Sequence, residues 1–507
     1  MNRTFLTMSR LLGSLAVGSA LLVSGAAQAA PQDGPAAGSE NEAAALVTKL
    51  RSMLGKPGGL TSVVVAQRAE ATSFDVLSKR EELEAAAAQV DQALVAYFPR
   101  LTATGRYTRL SPIDPPVFGN SVVTDRSAPA GPIPPGTQLY NVPFSFPVLL
   151  NQTILQATLS VPLSDYLLRI PQGYAAATKS EKAARFSEGA TRLKTATDAK
   201  AVYYTWVRAR LQEVVAEQAL MQANAHLVDA RHSFDAGTIN KADVMRIESQ
   251  VAQGKLLLER AKSLSEITET QIRVAMHDTT PVAYEVGESM EVDEAPKVQG
   301  IDNMANLWAE AASNRLELKS LEQSTDVLRE QAKVARAGNY PRLDAFGDII
   351  YANPNQRIFP LQDSFKATWD VGVQLSYSPN DIALSSASGK GLDARAASLA
   401  AQKQALQDGI RVEVTQTRNA LREAQAAVES TAQGLAAAEE SYRVRRSLFR
   451  NGRATAVELT DAETELTRSR LEAINARVDV RIASVRLEHA LGRDVAKANA
   501  PSSMSSR

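Results

Sequence analysis

Phe98-Pro99-Arg100-Leu101-Thr102-Ala103-Thr104-Gly105 returns, in outline, as Tyr340-Pro341-Arg342-Leu343-Asp344-Ala345-Phe346-Gly347. In both copies a helical stretch meets a proline, which has no N–H to donate and restricts the residue before it, so the helix stops. From the leucine onward the pattern changes from a helical period to a period of two. Leu101, Ala103, Gly105 and Tyr107 take one face, and Thr102, Thr104, Arg106 and Thr108 the other. In the second copy Leu343, Ala345, Gly347, Ile349 and Tyr351 share a face. Further along, Leu155-Gln156-Ala157-Thr158-Leu159-Ser160-Val161 returns as Val371-Gly372-Val373-Gln374-Leu375-Ser376-Tyr377, and Phe234-x-x-Gly237 as Phe449-x-x-Gly452. The offsets are 242, 216 and 215 residues, and the drop falls across the loop between the two strands, which is longer in the first repeat; landmarks in one order at such offsets mark an internal duplication. Each half reads helix, strand, strand, very long helix, tight turn, helix.

The first repeat spans 60–302: strands near 100–110 and 153–163, a long helix over 171–233, a tip at 234–240, a return helix over 241–276 and a mid-height loop region at 278–302. The second spans 303–494: strands near 342–351 and 367–378, a long helix over 385–448, a tip at 449–455 and a return helix over 456–491. A helical block over 60–95 precedes the first strand, and 303–338 is its counterpart. Each long helix should extend roughly 95 Å at ~1.5 Å per residue. The return helices match only part of that length, so 241–276 with 303–338, and 456–491 with 60–95, are expected to complete the rods. The first strand pair is joined by a Pro-rich loop, Ser111 to Pro147, which holds nine of the 22 prolines.

The ends set further bounds. Arg3 and Arg10 flank the apolar run Leu11 to Val23, and Ala27-Gln28-Ala29 follows, which reads as a secretory signal peptide over 1–29. Residues 30–59 read as an N-terminal extension and 495–507 as a tail. The chain has no cysteine, so no disulfide. Fifty-six basic residues balance 56 acidic ones, which gives no electrostatic case for nucleic acid. From Ala401 to Ala490 the composition is that of long helices packed on helices, and aromatics make up only 5% of the chain.

The strands alternate apolar and polar, as half-buried soluble sheets also do. Two details favour lipid. Tyr107, Tyr351, Trp369 and Tyr377 lie toward strand ends, as in an interfacial girdle. The strand lengths approach the ~9–11 residues that cross a bilayer at a tilt. Four strands cannot close a barrel, and an open edge in lipid leaves backbone groups unpaired at several kcal/mol each. Other copies must complete it, and three would give twelve strands.

The twofold repeat, the Phe/Tyr-Pro-Arg-Leu strand starts and the Phe-x-x-Gly turns resemble the TolC-type outer-membrane efflux proteins, from about Leu60 to Asp494. The resemblance implies a mainly α fold with a membrane β-barrel. A homotrimer completes a 12-stranded barrel in outer-membrane lipid, and long hairpins form an α-helical barrel in the periplasm of a Gram-negative bacterium. It implies docking on a periplasmic adaptor (a membrane fusion protein) and an inner-membrane pump, and the turns Gly237-Thr238 and Gly452-Arg453 are the expected adaptor contact. The family's acid-lined periplasmic mouth falls on Glu458 and Asp461, with Asp243 matching Glu458 in the first repeat. A second reading makes these acids solvated first-turn residues that stabilise a helix N-terminus. The family's closing arginine position is occupied by Ala454, and the neighbouring Arg453, with Asp243 as partner, is the gating candidate.

No catalytic, cofactor or metal site is expected. His226, His232, His277 and His489 are not in ligand spacing, and the first two read as surface polar residues. Gly389-Lys390-Gly391 lacks the rest of a phosphate loop. Two other readings stand beside efflux: an outer-membrane conduit for type I protein secretion, and a soluble periplasmic coiled-coil scaffold.

Overall fold

The computed structural model describes residues 46, 48–112, 117–123, 131–132, 135–145, 148–280, 282–290 and 298–494. The expected signal peptide, most of the N-terminal extension, parts of the Pro-rich and mid-height loops and the C-terminal tail lie outside them. Helices α1 (Ser62–Thr72) and α2 (Phe74–Val95) lead to strand β1 (Arg100–Arg109). Strands β2 (Val117–Val123) and β3 (Tyr140–Ser145) follow, then β4 (Asn151–Val161). A single turn, α3 (Asp165–Leu168), precedes the long α4 (Ile170–Asp235) and its return α5 (Lys241–Met276). The second repeat is α6 (Met304–Asn314), α7 (Leu316–Arg336), β5 (Arg342–Asn353), β6 (Lys366–Ser376), α8 (Pro379–Arg450) and α9 (Ala456–Ala490).

The blocks read as continuous at 60–95 and 303–338 are each broken once. Ser73 leaves helical geometry at ψ 127° and caps α2 by accepting from the Val76 N–H. Arg315, 242 residues on, leaves it at ψ 121°. The duplication therefore carries the break as well as the strands. Helix α8 starts six residues earlier than the sequence suggests, because Pro379 is preset for a first helical position. The Pro-rich loop contains the antiparallel β2–β3 hairpin.

The other four strands form one antiparallel sheet in the order β1-β4-β5-β6. Its register is uninterrupted: Leu101 faces Leu159, Ala157 faces Ile349, Gly347 faces Val371 and Leu343 faces Leu375. Residues opposite one another share a face, so Leu101, Leu155, Leu159, Ile349, Trp369, Val371, Val373 and Leu375 lie on one side, while Ile154, Phe346 and Ile350 fall on the other. The other side carries Thr102, Thr104, Arg106, Gln156, Thr158, Asp344, Asp348, Asp370 and Gln374. β1 and β6 are the sheet's edges.

The helices form the rest. Along its strand-proximal part α4 packs on α7, where Gly189 meets Leu316 and the Ser320 hydroxyl donates to the Ala183 carbonyl at 2.9 Å. Toward the turn it packs on α5, where Leu220 meets Gly254 and Arg231 pairs with Glu248 at 2.9 Å. Three apolar clusters follow one another along the bundle. One lies beside α6, α7 and the end of α9 (Leu307, Leu318, Leu421, Leu487). The second is a mid-height core around Tyr203, Trp206, Ile272 and Val478. The third, at the turns, gathers Ile247, Tyr442, Phe449, Leu459 and Leu466. Among the described residues no helix is long and apolar enough to cross a membrane.

Candidate functional site

Two places in the chain bear on function: the sheet at one end and the paired turns at the other. The sheet's apolar face is open. Leu101 is 71% exposed, Trp369 75%, Val371 76% and Leu375 68%. Monomeric soluble proteins rarely expose contiguous apolar patches this large. Of the expected lipid-facing aromatics, Tyr107, Tyr351 and Trp369 stand on this face toward the loop end, and Tyr377 just beyond β6 at the helix end; all four are exposed. The Tyr107 hydroxyl donates to Asn151 at 3.1 Å, and Tyr351 stacks on Phe365 at 5.1 Å. Strands of 10 to 12 residues at ~3.3 Å each, tilted by ~40°, rise about 25–30 Å, the thickness of a hydrocarbon core.

At the other end each long helix stops at a glycine in the left-handed region, Gly237 at φ +74° and Gly452 at φ +68°. An added Cβ would meet nothing within 4 Å at either, so backbone conformation is what demands glycine. Thr238 N–H and hydroxyl both donate to the Ser233 carbonyl, at 2.9 and 2.8 Å, and Arg453 N–H donates to Leu448 at 2.8 Å. Each return helix opens with a capping box. Asn240 and Asp243 exchange hydrogen bonds at 3.0 and 3.4 Å. Thr455 and Glu458 do so at 3.3 and 2.9 Å.

These contacts sort the expected pore acids. Glu458 and Asp243 are engaged as helix caps, and Glu458 also pairs with Arg445. The Thr455 backbone N–H above all, helped by Arg445, holds the Glu458 carboxyl below its ordinary range. Asp461 is exposed and makes no hydrogen bond or ion pair with the described residues. Arg453 is exposed, and its side chain pairs with neither Asp243 nor any other described residue. Arg450 links the two repeats instead, both Nε and Nη2 donating to Asp229 of α4 at 3.2 Å.

One turn beyond the cap, α9 buries charge. Ala456, Leu459, Leu466 and Ala473 are buried at heptad spacing, and Glu463 and Arg470 occupy two core positions of the same stripe. Glu463 is 2% exposed, and Arg446 of α8 and Arg470 are both buried. Burial pushes the Glu463 carboxyl up to about 7, against the pull of Arg446 and Arg470. Nearby, His226 of α4 meets the Tyr442 hydroxyl of α8 at 2.8 Å. His226 is thus buried, not the surface residue its spacing suggested, because it lies on the α4 face that α8 covers; His232 is exposed. Gly389 lies inside α8, where a Cβ would meet the Arg336 side chain at 2.9 Å; its role is close helix approach. The heptad could have exposed Glu463 and Arg470 in advance. Nothing local marks Arg450 or Asp229 as partners.

Residues 307–493 match the family model described as outer membrane efflux protein. No curated protein matches the sequence. Solved structures share the fold along most of both chains. The CusC channel, 13% identical, covers 85% of this chain and 92% of its own, with a TM-score of 0.69. The outer membrane protein VceC from Vibrio cholerae, 16% identical, covers 84% and 95%, with a TM-score of 0.67. The open-state MtrE outer membrane channel of Neisseria gonorrhoeae, 13% identical, covers 85% and 88%, also at 0.67. The chain resembles the TolC-type outer-membrane efflux proteins: in fold through both repeats, in sequence through the second.

Proposed function

We propose that three copies of this chain form the outer-membrane exit duct of a tripartite efflux system, passively conducting substrates received from an inner-membrane pump through a periplasmic adaptor. The one-sided sheet carries this reading. A four-stranded sheet with an exposed apolar face, a polar reverse face and two unpaired edges is stable in lipid only when further copies close it. Closure in the twelve-stranded form turns Arg106, Asp344, Asp348 and Asp370 toward a water-filled lumen. Helices α4 and α8, 66 and 72 residues long, extend this lumen by about 100 Å. A charge-balanced passive duct leaves substrate choice to the pump. The two glycine turns are the adaptor contact in this reading, and Asp461 is the acid left available to line the inner mouth.

The test is assembly followed by conductance. The mature chain, purified in detergent, should have the mass of three copies and insert into planar bilayers with small cation-selective steps. Glu458→Gln combined with Asp461→Asn should weaken block by multivalent cations. A soluble monomer that never enters the bilayer would overturn the proposal.

A further inference from the structure

The short β5–β6 loop folds back into the sheet's polar side. Asn355 is 2% exposed; its amide donates to the Lys366 carbonyl at 3.0 Å and to the Thr368 hydroxyl at 3.1 Å, and its oxygen accepts from the Arg357 N–H at 3.0 Å. Gln356 donates to Gln152 at 3.2 Å. The Arg357 guanidinium reaches Asp370 at 2.6 Å. Thr368, Asp370 and Gln152 all lie on the polar face. The last strand pair at this end is Ala352 with Lys366, so Asp370 sits four residues down the strand, about 13 Å inside the rim.

Electrostatics explains why the loop stays there. Asp370 stands directly opposite Asp348 across the β5–β6 pair. Like charges directly opposite one another destabilise a sheet. Asp348 is met by donors from β4, the Gln156 amide at 3.0 Å and the Thr158 hydroxyl. Asp370 is met by Arg357. At the loop's other foot, Phe365 stacks on Tyr351 of the apolar face. The loop thus straddles the end of the sheet, with its cation on the polar face and its aromatic on the apolar face.

We infer that the β5–β6 loop is a second constriction of the duct, at its outer mouth, and that Arg357 determines the charge selectivity there. The inference rests on the duct reading above. Three copies place three inward loops, each with a guanidinium and a carboxylate pair, around one opening. Such rings of charge discriminate between ions by sign.

The chain has no cysteine, so a single introduced thiol gives a clean test. Full-length Arg357→Cys and Phe365→Cys variants are inserted in planar bilayers and treated with maleimide-polyethylene glycol. Modification at 357 should cut conductance by about half or more, and modification at 365 should leave it unchanged. Arg357→Glu should raise the cation-to-anion permeability ratio severalfold. If the wild type conducts, normal conductance by the fully modified Arg357→Cys variant, or unchanged selectivity in Arg357→Glu, overturns the outer constriction alone. An inserted wild type that conducts under no condition, with the adaptor present or absent, overturns the duct reading and this inference together.

Discussion

The turns of the two repeats share one sequence outline and differ in what surrounds them. Phe234 and Phe449 occupy equivalent positions three residues before a left-handed glycine. Phe449 is 6% exposed, packed among Ala230, Ile247, Tyr442, Leu459 and Leu466, while Phe234 is 43% exposed. The second turn is also tied by Arg445 to Glu458 and by Arg450 to Asp229 of the other repeat. The backbone motif was duplicated and kept. The second turn is built into the chain's own core, and the first presents its apolar residue outward. Of the two phenylalanines, Phe234 is the one left with exposed apolar surface.

The largest expected effect separates the turns by function. Gly452→Asp places a Cβ at φ +68° and a new carboxylate at the proposed adaptor contact, and it should abolish export while trimers still form. Export would be read as drug susceptibility and assembly as mass in detergent; normal export by this variant removes the turn from adaptor docking. Gly237→Asp, in the less anchored turn, is the matched comparison.

Stability should divide the two phenylalanines next. Phe449→Ala should cost about 3 kcal/mol, as for a buried aromatic truncated to alanine. Phe234→Ala should cost less than about 1 kcal/mol in the separated chain. Denaturant unfolding and protease cleavage near the turns would measure both. A Phe234→Ala cost that is small in the monomer and rises to that of Phe449→Ala in the trimer would show that a neighbouring copy covers Phe234.

A pH dependence is expected at the second turn. The Glu463 carboxyl is raised from 4.5 to about 7 by burial, so the packed state holds its proton more tightly than the unfolded chain does. The resulting stability is fully present below about 4.5 and is lost as pH rises through about 7, a change of at most ~3 kcal/mol per copy. Glu463→Gln should flatten the stability profile between about pH 5 and 8. A wild-type profile already flat over that range would mean that Arg446 and Arg470 compensate the carboxylate fully.

The smallest effect concerns the link between the repeats. Arg450 and Asp229 are both partly exposed, so Arg450→Ala should cost less than ~1 kcal/mol and weaken further in salt. A larger loss in a double-mutant cycle with Asp229→Ala would make this pair a structural lock.

Much of this molecule is written in local pattern. The proline after each helix, the period of two from Leu101 and Leu343, and the glycines at 237 and 452 act on neighbouring backbone. They locate strands, turns and helices without any knowledge of the rest of the chain. The same alternation determines which side of the sheet is apolar. The break at Ser73 leaves no such mark, because nothing there forbids a helix; its recurrence at Arg315 is visible only in the folded chain. The acids at 243 and 458 carry a readable cap pattern, an Asn or Thr three residues earlier, beside the expectation of a pore ring.

Residue order alone dictates the duplication, the strand faces, the long helices and the turns, because each follows from the covalent geometry and period of a short segment. Packing is what buries His226 against Tyr442, lets Arg450 rather than Arg453 reach across the repeats, and turns Arg357 inward to Asp370. Glu463 stands between the two, marked by its heptad position but given its shifted proton affinity by α8 and the arginines around it. Contacts of this kind join side chains on separate elements. Their energy depends on burial and distance after packing, which no local period encodes.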